Sequence, residues 1–156
     1  MSNIRLEMPV LARHEGEWVG TYTLVDLNGK ILDSHQSHLS CQFPENSEYC
    51  YYQINRYTWE NGKQEEHQFP GKYQDKKLWF DTERIQGKAW EVDDSTVILW
   101  FGYKQFPADM YLYEMIQISP DNNYRARTWH WFKNDQIYQR TFIQEERVKS
   151  IYTKHG

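Results

Sequence analysis

Short segments in which apolar and polar residues alternate fill most of the chain, and turn-forming residues separate them. Along residues 17–25, Trp18, Gly20, Tyr22 and Leu24 fall on one face, and mainly polar residues occupy the positions between them. This period of two is typical of a β-strand, in which successive side chains point to opposite faces. The pattern therefore predicts an all-β protein.

The turn signals predict that consecutive strands form hairpins. Asn28-Gly29 and Asn61-Gly62 each lie between alternating segments, and Asn-Gly is the strongest short hairpin signal because a type I′ turn needs positive φ at both central residues. A further hairpin is predicted across Asn134-Asp135. Because the segments leave no room for a crossover helix, all neighbouring strands should be antiparallel.

A single meander of this kind has two unpaired edges unless it closes on itself. We therefore expect one up-and-down antiparallel β-barrel of about eight to ten strands, with an interior for side chains or one small ligand. The only plausible helix lies within residues 3–13, where Pro9 limits it to one or two turns. The predicted organisation is a helical plug segment at 1–15, a barrel at 16–148 and a flexible tail at 149–156.

Composition and charge narrow the possible partners. The chain has 18 Lys plus Arg against 22 Asp plus Glu, a formal net charge of −4, and no basic block, which argues against nucleic acid and against anionic membranes. No apolar run approaches the roughly 20 residues of a membrane span, and the N-terminus does not have the pattern of a signal peptide. We expect a cytoplasmic domain. Its 7 Trp and 12 Tyr suit a partly polar cavity, because each carries a polar group that needs a partner when buried.

Cys41 and Cys50 are too few for a disulfide framework, and a reducing compartment predicts two free thiols. Their spacing across the PENSE turn nevertheless leaves a bridge between antiparallel strands geometrically conceivable.

The sequence has no G-x-S-x-G, phosphate loop, dinucleotide fingerprint or H-E-x-x-H motif. His35 and His38 are three residues apart on a predicted strand and point to opposite faces, so no metal site is predicted. His130 stands between Trp129 and Trp131. It lines the barrel interior if the two tryptophans point outward, and otherwise it is a histidine bonded within a polar layer.

The segment YRARTWHWFK interleaves arginine with tryptophan, a pattern found in single-strand nucleic-acid platforms and in structural cation–π stacks. The negative net charge and the nearby Glu114, Glu145 and Glu146 favour the structural stack. A third possibility is that Arg125 or Arg127 recognises a carboxylate inside a cavity.

Asp81 and Glu83 share one face of a predicted strand and could perform acid–base chemistry if burial separates their pKa values. Partnership with an arginine such as Arg56 or Arg84 is the alternative. Burial of Asp81 or Glu114 in the cavity beside a tyrosine or histidine would favour an enzyme.

Gly16-Glu17-Trp18 resembles the G-x-W motif of lipocalins and calycins. That resemblance implies that Trp18 closes the bottom of the barrel and that Arg140 or Arg147, from the last strand, stacks on it. More specifically, the run HEGEWVGTYTLVDLNGKILDSHQSHLSCQFP, with NRYTWENG, FDTERIQGKAWEVDD and RARTWHWFK, resembles a family of bacterial, often cyanobacterial, lipocalin-like proteins of unknown function. The resemblance covers residues 14–148 and implies a single calycin barrel without an assigned reaction or ligand.

Two other groups of barrels give competing hints. GEWVG at 16–20 is similar to the start of nitrobindin-type haem proteins, which would make His130 the iron ligand, although their glycine-rich continuation is missing. Bilin lyases share only the calycin fold.

The leading hypothesis is a barrel that binds a small, largely hydrophobic or aromatic molecule without a cofactor. The alternatives are a cofactor-free cyclase, isomerase or lyase acting on a polyketide, terpenoid or tetrapyrrole, a haem-binding barrel, and an interaction module that forms a homodimer. If the inward face of a strand is assigned wrongly, every residue predicted to point inward from that strand points outward instead. The residues predicted to line the cavity, or else their facing counterparts, are Trp18, Tyr22, Tyr52, Arg56, Trp100, Tyr113, Arg127 and His130.

Overall fold

The computed structural model describes residues 3–105 and 109–149. Two short helices, α1 (Ile4–Glu7) and α2 (Pro9–Ala12), precede the strands. Ten strands follow within the described ranges: β1 (Gly16–Asp26), β2 (Ile31–Gln42), β3 (Tyr51–Thr58), β4 (Gln64–Gln74), β5 (Lys77–Asp81), β6 (Ile85–Glu91), β7 (Thr96–Tyr103), β8 (Met110–Ile118), β9 (Tyr124–Lys133) and β10 (Gln136–Arg147).

The strands form a closed antiparallel barrel in which each strand pairs with its neighbours in the chain. Closure is made by β1 and β10, where Trp18 lies opposite Arg147 and Tyr22 opposite Ile143. The predicted up-and-down barrel of eight to ten antiparallel strands is confirmed. Closure removes the two free edges that an open meander would expose.

The hairpin turns differ from the prediction in type. At Asn28-Gly29 and Asn61-Gly62 only the glycines have positive φ, 84° and 89°, so these are not type I′ turns. Each glycine N–H instead donates to the carbonyl three residues earlier, as in a three-residue loop that ends in a left-handed glycine. Type I′ geometry occurs at Asp75-Lys76 and at Asn134-Asp135, where both central residues have positive φ.

The two helices pack across one end of the barrel. Met8 and Leu11 are buried in the same apolar cluster as Trp18. The Leu11 N–H donates to the Glu91 carboxylate at the end of β6, with an N–O distance of 2.7 Å. Arg13 Nη2 donates to the Ser119 carbonyl in the β8–β9 loop at 2.9 Å. These contacts fix the helices over the end where β1 begins, which we call the covered end.

Among the described residues, no helix has the length and apolar character needed to cross a membrane. Cys41 and Cys50 are both free thiols, as predicted. Of the predicted tail at 149–156, residues 150–156 lie outside the described residues.

The barrel interior has an apolar side and a polar side. Alternate residues of β5–β8 supply buried aliphatic and aromatic side chains, such as Leu78, Leu99 and Phe101. Alternate residues of β8–β10 supply buried charged side chains, because a Glu or Arg takes the inward position there. The buried charged residues of these three strands are Glu114, Arg125, Arg127 and Glu145.

Candidate ligand cavity

A cavity of about 230 Å³ lies inside the barrel. It extends from Leu11 and His14, both buried at the covered end, to Arg84, Tyr103 and Trp131 toward the opposite end. These last three residues are only partly buried. We call their end the mouth of the cavity, because the two helices close the other end.

One wall of the cavity is aromatic. Phe69 and Phe101 stack with ring centroids 5.8 Å apart and an angle of 18° between the rings. Tyr103 and Trp131 stack nearly parallel, at 6.0 Å and 6°. All four rings line the cavity. Flat apolar surfaces of this kind favour a ligand that carries an aromatic ring.

A second wall is a chain of hydrogen bonds along the inward face of β3. The Tyr51 hydroxyl donates to Gln53 Oε1 at 2.7 Å, Gln53 Nε2 donates to Asn55 Oδ1 at 2.8 Å, and Asn55 Nδ2 donates to the Tyr57 hydroxyl at 2.9 Å. These four residues line the cavity. Burial is the main cause that raises the pKa values of Tyr51 and Tyr57, so both hydroxyls remain protonated at neutral pH.

Four buried charges form a cluster between the covered end and the middle of the barrel. Glu145 accepts hydrogen bonds from Arg125 Nε at 2.6 Å and from Arg127 Nε at 2.8 Å. Arg127 Nη1 also donates to Glu114 Oε2 at 2.8 Å. Two cations therefore face two carboxylates, which is the pairing that buried charges require.

The shifted pKa values of Glu145 and Arg127 keep both side chains charged at neutral pH. Burial alone would raise the pKa of the Glu145 carboxyl, but the charges and hydrogen bonds of Arg125 and Arg127 outweigh burial and lower it to about 2. Burial opposes the charge of Arg127 as well. Glu145, Tyr22 and Glu114 outweigh that effect and raise the pKa of Arg127 well above its usual value.

Tyr22 connects this cluster to a set of packed rings. Its hydroxyl accepts a hydrogen bond from Arg127 Nη2. Its ring stacks on His35 at 5.0 Å and meets Tyr57 edge-on at 4.9 Å. Burial raises the pKa of Tyr22 in spite of the Arg127 charge, so Tyr22 is a neutral partner of the arginine.

His14 occupies the covered end of the cavity. Burial, and then the charge of Arg125, lower its pKa well below the ordinary value, so the ring is neutral. Its Nδ1 lies 3.1 Å from Arg125 Nη1, which can only donate, so Nδ1 accepts and the proton is on Nε2. Among the described residues, this buried Nε2 has no hydrogen-bond partner.

Trp18 closes the barrel beneath the cluster. Its ring centroid lies 4.5 Å from the Arg125 guanidinium carbon and 4.4 Å from that of Arg147, and its Nε1 donates to the His14 carbonyl at 2.9 Å. The resemblance to the G-x-W barrels implied a stacking arginine at 140 or 147, and the structure identifies Arg147.

Of the residues predicted to line the cavity, three point inward. Arg127 lines the cavity itself. Tyr22 does not line the cavity but accepts a hydrogen bond from Arg127, which does. The fully buried Trp18 forms the floor of the barrel.

The prediction is wrong about the direction of the other five. The Tyr52 hydroxyl bonds Gln68 at the surface, and Arg56 forms an exposed ion pair. Trp100 lies opposite Tyr113, which lies opposite His130, so these three share the outer surface of β7–β9.

The outward direction of His130 on β9 argues against the haem hypothesis. Trp129 and Trp131 line the cavity and His130 faces outward, so His130 cannot reach a group held inside. The inward face was assigned wrongly on strands that have apolar residues on both faces, because the pattern does not show which of the two faces the interior.

Asp81 and Glu114, whose burial beside a tyrosine or histidine would have favoured an enzyme, lie in different environments. Asp81 is exposed and paired with Lys104. Glu114 is buried in the cavity, but its partner is Arg127. Within residues 3–105 and 109–149, no group of three or more His, Cys, Asp or Glu side chains could hold a metal ion.

The sequence interpretation missed most of the polar lining. The inward residues Gln53, Asn55 and His67 were not singled out, because polar residues in a strand normally indicate the solvent face. Tyr51, Gln53, Asn55 and Tyr57 occupy every second position of β3, and this shared face is the signal that could have identified them.

Comparison with known proteins gives one family. Residues 7–150 match the family described as "Domain of unknown function (DUF3598), N-terminal". A crystal structure of a DUF3598 protein of unknown function from Nostoc punctiforme is similar in fold, with a TM-score of 0.65 and 15% sequence identity over 88% of this chain. This chain spans about half of that protein, 49% of its length.

Two further structures are more distant. EF1p2_mFAP2b bound to DFHBI gives a TM-score of 0.47 at 14% identity, covering 89% of this chain and 97% of that one. The redesigned β-barrel mFAP1 bound to DFHBI gives 0.43 at 15% identity, covering 86% of this chain and 97% of that one. No curated protein matches this chain significantly.

Proposed function

The chain belongs to the DUF3598 family, whose description names no activity, and we propose that it binds a small, flat, largely aromatic molecule inside a calycin-type barrel. The observation that carries this proposal is the pair of unlike walls around one cavity of about 230 Å³. Ligand sites are mostly apolar hollows with a few polar groups that fix orientation, and this cavity has that composition.

The two walls have different roles in binding. Phe69, Phe101, Tyr103 and Trp131 offer ring faces and exclude water from an apolar ligand. On β3, where Gln53 pairs with Phe69 of β4, Gln53 and its hydrogen-bonded neighbours offer donors and acceptors. An aromatic ring with a polar substituent would contact both walls, whereas an aliphatic chain offers no hydrogen-bonding group to the polar wall.

The cofactor-free enzyme has less support. Proton transfer needs a group whose protonation can change near neutral pH. Glu145 and Glu114, the buried carboxylates in the described part of the barrel, are both held by arginines. His14, at the covered end of the cavity, is neutral, and its ring donates no hydrogen bond among the described residues.

The test is a fluorescence titration with N-phenyl-1-naphthylamine, an uncharged aromatic dye that brightens in apolar sites. Ile116 lines the cavity and is partly buried, so Ile116→Trp should fill part of the space. Met115 is the adjacent residue on the outer face of β8 and is 44% exposed, so Met115→Trp adds the same ring outside. Circular dichroism establishes that both variants keep the barrel fold.

We expect saturable binding by the wild-type protein and by Met115→Trp, and binding at least tenfold weaker in Ile116→Trp. Absence of wild-type binding would refute the proposal. Equal binding by both variants would also refute it, because the dye would then occupy a site outside the cavity.

A further inference from the structure

Arg84 differs from the other two arginines that line the cavity. Arg125 and Arg127 are both neutralised by buried carboxylates. Arg84 forms no ion pair with any carboxylate in residues 3–105 or 109–149, where the ion pairs of the mouth region join other residues, such as Asp81 with Lys104. Together with the two carboxylates Glu114 and Glu145, the three arginines carry a net charge of +1, and Arg84 is the arginine that has no carboxylate partner among the described residues.

The backbone holds Arg84 in place at the mouth. Its N–H donates to the Thr82 hydroxyl at 3.1 Å, and its carbonyl accepts a hydrogen bond from the Lys104 N–H at 2.8 Å. The guanidinium carbon lies 5.9 Å from the centroid of the Phe69 ring. The cation is therefore positioned at the end of the aromatic wall.

Tyr103 and His67 also line the cavity, and neither side chain brings a negative charge to Arg84. Burial raises the pKa of Tyr103 to about 12, so its hydroxyl is neutral at pH 7. His67 faces Glu65, with a distance of 3.1 Å between Nε2 and Oε1, and both side chains lie on β4. An anionic group of a ligand at Arg84 would thus gain a partner without displacing an internal one.

We propose that the ligand is an aromatic acid, and that Arg84 binds its carboxylate at the mouth while the ring lies against Phe69 and Phe101. This inference rests on the proposed function and specifies the class of ligand. A guanidinium offers a carboxylate two parallel hydrogen bonds, and a monoanion neutralises the single unpaired charge. A partly exposed mouth also leaves the carboxylate partly hydrated, which lowers the cost of binding it.

The test compares 2-naphthoate with 2-naphthamide, which share a ring system and differ in charge. Calorimetry measures the binding of each compound by the wild-type protein, Arg84→Met, Arg84→Lys and Arg56→Met. Arg56→Met is the control, because Arg56 lies outside the barrel in an exposed ion pair with Glu66. Arg84→Lys keeps the charge but loses the two-pronged geometry.

We expect Arg84→Met to bind 2-naphthoate about tenfold more weakly, which corresponds to about 1.4 kcal/mol, and to bind 2-naphthamide within about twofold of wild type. Arg84→Lys should lie between Arg84→Met and wild type, and Arg56→Met should match wild type. Equal losses for both compounds, or no loss for naphthoate, would overturn the assignment to Arg84. If the Arg84 assignment fails in this way but the uncharged dye still binds in the cavity, the proposed function stands. Failure of the dye to bind would overturn both the proposed function and the assignment to Arg84.

Discussion

Arg127 and Glu145 form an ion pair inside the barrel, with 2.8 Å between Nε of the arginine and Oε1 of the carboxylate. The same carboxylate oxygen accepts from Arg125 at 2.6 Å, so one glutamate on β10 holds two arginines on β9. The pair can form because these strands are neighbours and both inward positions are charged. It leaves the base of the cavity charged but balanced.

Glu145→Gln should lower the free energy of unfolding by about 3–5 kcal/mol, because it leaves two buried arginines with one carboxylate between them. Glu146→Gln, one residue along on the exposed face, should change it by less than about 0.5 kcal/mol. Urea unfolding followed by tryptophan fluorescence measures both. Similar losses in the two variants would show that the cluster does not stabilise the fold.

Stability should also fall in acid because of Glu145. The pKa of its carboxyl is about 2 in the folded protein against an ordinary value of 4.5, so its contribution to stability is complete above about pH 4.5 and is lost as pH falls toward 2. The shift corresponds to a contribution on the order of 3 kcal/mol. Thermal unfolding across this range should show a smaller acid loss in Glu145→Gln than in wild type. Parallel curves for the two proteins would contradict the linkage.

His14 should add a separate dependence at higher pH. Because burial and Arg125 lower its pKa, the folded protein resists a proton that the unfolded chain accepts near pH 6.5. The free energy of unfolding therefore keeps its full value with respect to His14 above that pH, and it declines as the pH falls below it. His14→Gln should remove part of this decline between pH 7 and 5, as measured by urea unfolding at each pH. An unchanged slope would mean that His14 does not titrate differently on folding.

Of the two arginines on β10, Arg140 and Arg147, only Arg147 should stabilise the protein by stacking on Trp18. Arg147→Met removes a cation 4.4 Å from the ring and a hydrogen bond of 2.7 Å to the Asn122 carbonyl, so we expect a loss of about 1–2 kcal/mol. Arg140→Met, on the same strand, should cost less than about 0.5 kcal/mol. Chemical unfolding distinguishes them, and a larger loss at Arg140 would contradict this assignment of the stacking residue.

The fold was predictable from the sequence because its signals are local. Alternation and short turns specify antiparallel neighbours, and the Asn134-Asp135 hairpin follows from residues close together in the chain. The inward face was not predictable on every strand. Leu99 and Trp100, for example, are adjacent and both apolar, so the pattern alone could not say which points inward.

The charged cluster required information that only the closed barrel contains. The sequence predicts that Arg127 lines the cavity, but a buried arginine is unfavourable without a partner, and the pattern does not say which carboxylate is that partner. Their partner Glu145 lies about 20 residues away, and β10 must pair with both β9 and β1 before the cluster is enclosed. The cavity of this protein is therefore a property of closure rather than of any single segment.

The most direct test of the proposed binding site is the methyl NMR spectrum of the protein with and without N-phenyl-1-naphthylamine. We expect the dye to shift the methyl signals of Leu99, Leu112 and Ile116, which line the cavity. Signals of Met115 and Ile137, which are 44% and 39% exposed on the outer surface, should stay in place. Shifts confined to Met115 and Ile137 would place the dye outside the barrel and contradict a ligand-binding cavity.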